Sequence, residues 1–130
     1  MTTRRGVTIV EVTVAGVLLV AMMTVCLEFL QAAAAQRRAI RQRQTAIQEA
    51  ANVMERLSAR PWEELSPQGV AGLELSQAAR SLLPDGKLAV EVISPADEPG
   101  AKQIVVAVGW EDDSGGSAWP IRLTAWRYRP

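Results

Sequence analysis

Residues 6–30 read GVTIVEVTVAGVLLVAMMTVCLEFL, and this stretch decides how the chain is built. Its apolar residues run almost unbroken, and only Glu11 and Glu28 carry charge. As an α-helix, residues 7–30 span about 36 Å, against a bilayer hydrocarbon core of about 30 Å. The uncharged run at 12–27 covers only about 24 Å. Glu11 therefore falls at or just inside the hydrophobic boundary. Ahead of this stretch stands MTTRR, with two threonines and then Arg4 and Arg5 before Gly6.

A carboxylate at that depth needs a partner. An acidic residue at the centre of a membrane helix costs about 2.5–3.5 kcal/mol on insertion scales, and less toward the edge. A cut between Gly6 and Val7 would create one. Val7 would then carry a free α-amino group, and Glu11 would become the fifth residue of the shortened chain. An amine and a carboxylate about 4 Å apart attract by about 4 kcal/mol at an effective dielectric of about 20. The amine can belong to the same chain or to a neighbour.

The run Gly6-Val7-Thr8-Ile9-Val10-Glu11 resembles the type IV prepilin signature. In that family a short basic leader ends in Gly, followed by an aromatic or apolar residue, Thr, two aliphatics and Glu. Val7 stands here where Phe is usual. The resemblance implies that a prepilin peptidase removes residues 1–6 and that Val7 is N-methylated. It also implies that Glu11 guides the subunit into a filament, with Arg4 and Arg5 supplying the leader's charge. The implied partners are the peptidase, other pilin or pseudopilin subunits and inner-membrane lipid. The implied topology has the N-terminus cytoplasmic, one membrane pass and the C-terminal part periplasmic, before transfer into the filament.

Other readings of the same residues exist. A conventional signal peptide has a basic start, an apolar core of about 7–15 residues and small residues at its cleavage site. Ala32 to Ala35 could supply that site and release an exported binding domain. The apolar stretch is longer than such a core, and it contains Glu11. An unprocessed single-span anchor would account for Glu11 through the helix dipole, but not for Gly6. Arg37, Arg38, Arg41 and Arg43 follow the apolar stretch. By the positive-inside rule they favour that side for the cytoplasm, opposite to the orientation the cleavage motif requires.

From residue 31 to 60 there is neither proline nor glycine, and good helix formers dominate. Ile40, Ile47, Ala51, Met54 and Leu57 recur at helical spacing, which predicts an amphipathic continuation with these residues as its core stripe. Pro61 ends it. Residues 61–86 are punctuated by prolines and glycines and read as a connecting region, with a short helix near 76–83. In residues 87–130, alternation at 88–93, 104–110 and about 119–128 predicts three strands. The last of these sets Ile121, Leu123 and Ala125 on one face.

The expected fold is therefore α+β: a long N-terminal helix, membrane-embedded in its first half, packed on a small three-stranded antiparallel sheet. The segments are a leader at 1–6, a membrane helix at 7–30, its continuation at 31–60, a connection at 61–86 and the sheet at 87–130. This is also the pilin architecture, and the likeness is to minor pilins and to minor pseudopilins of type II secretion. The chain has no histidine and one cysteine, Cys26, so internal disulfides are excluded and the commonest general base is missing. Its formal net charge is zero, which gives no sign of a nucleic-acid partner. Glu111, Asp112 and Asp113 could be taken as calcium ligands, but three acids before Ser-Gly-Gly read as a solvated turn. No nucleophile–base pair, phosphate loop or zinc spacing is present, so the expectation is a structural protein without cofactor or metal.

Overall fold

The computed structural model describes residues 6–111, 115–116 and 121–130. Arg4 and Arg5 of the leader, and Asp112 and Asp113 of the acidic turn, lie outside the described residues. The first element, α1, runs Ile9–Ser58 as one uninterrupted helix. Internal contacts divide the chain into two compact units, residues 1–37 and residues 38–130.

Within the first unit, α1 is exposed on every side. No residue from 6 to 32 is buried or even half-buried. Nothing in its sequence favours one face over another, because valine, leucine and methionine occupy all of them. A helix that is apolar all round needs an apolar surrounding, either protein or lipid.

The second unit holds the core. After Ser58 come a 3₁₀ turn, Trp62–Glu64, and two short helices, α2 (Pro67–Val70) and α3 (Gln77–Leu82). The region expected as a connection thus contains local structure of its own. Ser66 and Ser76 start these helices, each accepting a hydrogen bond from a backbone N–H three residues on. Three strands follow: β1 (Lys87–Ile93), β2 (Ala101–Gly109) and β3 (Ile121–Tyr128). They form an antiparallel meander in the order β1-β2-β3. The α+β expectation is met, with a long helix packed on a three-stranded sheet.

Register explains which strand residues meet the helix. Val90, Val106 and Leu123 lie in one cross-strand row, and Val92, Ile104 and Ala125 in the next. These rows share one sheet face, and Ile104, Val106 and Val108 on it are almost wholly buried. Ala46, Ala50, Val53 and Leu57 of α1 join them in the same cluster. The opposite face carries Ile93, Trp126 and Tyr128, all exposed.

The expected helix stripe needs correction. The buried residues of α1 are Gln42, Ala46, Glu49, Ala50, Val53 and Leu57. Of the residues expected in the core, only Leu57 is buried; Met54 is half-buried, and Ile40, Ile47 and Ala51 face outward. The physical reason is size. Ala46 and Ala50 are wholly buried in the apolar cluster, and isoleucine there would overfill the space.

The C-terminal end of α1 is closed by cations. The Arg127 guanidinium of β3 donates to the Ser58 carbonyl. Arg60 donates to the Gly69 carbonyl at 2.8 Å. Lys102 donates to the Trp62 carbonyl at 2.8 Å and stands 4.6 Å from the centre of the Trp62 ring. Gly69 has to be glycine, since a Cβ would sit 2.1 Å from the Glu64 carbonyl oxygen.

Candidate membrane and assembly segment

The helix begins at a definite cap. The Thr8 hydroxyl accepts a hydrogen bond from the Glu11 backbone N–H at 3.3 Å, and the Thr8 carbonyl accepts from Val12 N–H at 3.2 Å. Thr8 is thus the N-cap, with Glu11 at the third helical position. Thr-x-x-Glu is the capping-box spacing, a signal present in the sequence that the cleavage motif alone does not use. Glu11 also lies in the first turn, where the helix dipole favours a negative charge. Among the described residues, none makes a hydrogen bond or ion pair with its carboxylate.

Gly6 and Val7 precede the cap and are non-helical. Both are exposed, and a Cβ built on Gly6 would meet no atom within 4 Å. Free space at Gly6 means that a larger side chain there would disturb no internal packing. The bond between Gly6 and Val7 is also accessible to another molecule.

Thr13 and Thr24, inside the apolar stretch, need no water. Thr13 donates its hydroxyl to the Ile9 carbonyl at 2.8 Å, and Thr24 to the Val20 carbonyl at 2.9 Å. Each is satisfied within its own helix, as a lipid surrounding demands. Cys26 is exposed within the same stretch. α1 is long and apolar enough to cross a membrane, and no part of its most apolar stretch is buried within the protein.

Glu49 is a buried polar residue that the periodicity of the sequence does not reveal. It is only 6% exposed. Its carboxylate accepts from the Ser76 backbone N–H at 2.7 Å and from the Ser76 hydroxyl at 3.0 Å. The same hydroxyl accepts from Ala79 N–H at 3.2 Å. Glu49 therefore ties α1 to the start of α3. A clue lay in Ser76 opening a short helical pattern, but its partner 27 positions away was not legible.

Among the described residues, no three acidic, histidine or cysteine side chains gather as a metal site would require. Of the three acids of this turn only Glu111 is described, and its N–H donates to the Pro84 carbonyl at 2.9 Å. Comparison with protein-family models, curated proteins and solved structures finds no match.

Proposed function

We propose that the chain is a minor structural subunit of a type IV pilus or of a type II secretion pseudopilus. A prepilin peptidase cuts between Gly6 and Val7, Val7 is methylated, and the subunit assembles through its N-terminal helix. Before assembly it crosses the inner membrane once, with residues 1–6 in the cytoplasm and residues 38–130 in the periplasm. The carrying observation is the start of α1: an exposed Gly6–Val7 bond, a Thr8 cap, and a Glu11 carboxylate unpartnered among the described residues, heading a helix apolar on all sides. A cation made at Val7 by proteolysis is the partner that Glu11 needs. The chain supplies structure, not chemistry, and the work of moving it out of the membrane comes from elsewhere.

The test is the intact mass of the chain coexpressed with a prepilin peptidase and without it. The expected result is loss of residues 1–6 only when the enzyme is present. Gly6→Phe should block the cut, and because Gly6 touches nothing, the block reports recognition and not misfolding. A product beginning near Gln36 would instead point to signal peptidase, and an uncut chain would remove the proposal.

A further inference from the structure

Between Glu28 and Glu49 the chain has four arginines, at 37, 38, 41 and 43, and no acidic residue. Within residues 38–130, α1 leaves an apolar strip uncovered. Ile40 is 50% exposed, Ile47 is 43% exposed, and Ala51 is exposed too. Ile40 and Ile47 are seven positions apart and Ala51 lies four further on, so the three share one side. That side is about a third of a turn from the buried row. Seven-residue spacing is that of a seam along which two helices bury a narrow apolar line. By helical geometry Arg43 borders the strip on one side and Arg41 on the other. Both are exposed, and neither makes a hydrogen bond or ion pair with another described residue.

The charges select the occupant. An identical helix laid alongside in register would set arginine against arginine, and like charges flanking a seam disfavour the pair. A helix with carboxylates at its flanking positions would be drawn in. Lipid headgroups fit less well. They extend only about 5–8 Å beyond the hydrocarbon core, whereas Arg41 and Arg43 lie about 16–20 Å past residue 30 along α1. We infer that the Ile40–Ile47–Ala51 strip docks a helix of a different subunit, one whose flanking residues are acidic. The inference rests on the filament reading for one point only, that the two helices run side by side from a shared membrane.

A charge-reversed copy of the chain serves as the probe. Full-length Cys26→Ser protein carrying Gln44→Cys is placed in zwitterionic bilayers and oxidised. It is mixed either with itself or with an equal amount of the same protein bearing Arg41→Glu and Arg43→Glu. Mixed disulfides should exceed like–like ones by about tenfold, as several ion pairs replace several repulsions. The excess should shrink in high salt, vanish with Ile47→Asp and be absent when the second copy carries Arg41→Lys and Arg43→Lys. Equal yields of mixed and like pairs, or an excess that survives Ile47→Asp, would overturn the inference. So would binding to phosphatidylglycerol vesicles that needs Arg41 and Arg43 without any mixed excess, which would assign the arginines to lipid. No step requires cleavage at Gly6. A chain that is never processed leaves this result standing, and a processed chain without the mixed excess removes this inference alone.

Discussion

Thr8 and Glu11 divide two tasks at the start of α1. Thr8 fixes where the helix begins, through the bond from Glu11 N–H to its hydroxyl. The Glu11 backbone takes part in that cap, while its carboxylate stays available to a cation outside the described residues. Glu11→Ala keeps the backbone N–H and so should keep the helix start. The expected outcome is normal removal of residues 1–6, seen by mass, with loss of the subunit from purified filaments. Normal incorporation would show that the carboxylate has no role in docking. Glu49 behaves differently, because both its hydrogen bonds are already made inside the protein. Glu49→Ala should lower stability by about 2–3 kcal/mol, since it strands the Ser76 N–H and leaves a void. Glu49→Gln retains an acceptor for that N–H and should lose less. Urea titration of the two variants, followed by tryptophan fluorescence, distinguishes them.

For the elements, the strands were the most legible part. Alternation at 88–93, 104–110 and about 119–128 marked three strands, and Ile121, Leu123 and Ala125 do share a face, because a strand has only two faces. The helix was legible in length but not in orientation. Its true inner face contains Gln42, Glu49 and two alanines, which look neither apolar nor large. The isoleucines that drew attention lie on an outer face instead. Burial on α1 therefore does not follow side-chain hydrophobicity. Ala50→Leu tests this directly. Ala50 is fully buried, so the three extra heavy atoms of a leucine side chain cannot all be housed there. The expected cost is about 1–3 kcal/mol, read as a lower urea midpoint. Ile47→Leu, on the outer face, should leave the midpoint unchanged.

At the level of the whole molecule, the two units differ in what they need from their surroundings. The unit of residues 38–130 contains its own helix segment, sheet and closed apolar cluster. Expressed alone, residues 38–130 should fold without detergent, giving mixed helix and strand circular dichroism and one cooperative thermal transition. Residues 6–32 have no buried position, so the full chain should partition into membranes or detergent. The need for an apolar surrounding was evident from composition alone. Gly6, Val7 and Glu11, which the resemblance to the prepilin signature singles out, stand at an exposed helix start. Neither Glu49 nor the outward strip could be read from sequence, because both depend on how α1 is rotated against elements formed later in the chain, α3 for Glu49 and the rest of the apolar cluster for the strip.

The bond from Arg127 to the Ser58 carbonyl joins positions 69 apart, and the Arg129 N–H likewise closes on the Gly100 carbonyl at 2.9 Å. The C-terminal end of α1 is therefore closed by a residue of β3, the strand that follows it only after two others. Distant closures of this kind come late, because a long loop must first be drawn together. Without residues 127–130 the helix and most of the sheet would remain, but this clasp would be missing. The end of α1 would then fray, and limited proteolysis should reach it there first.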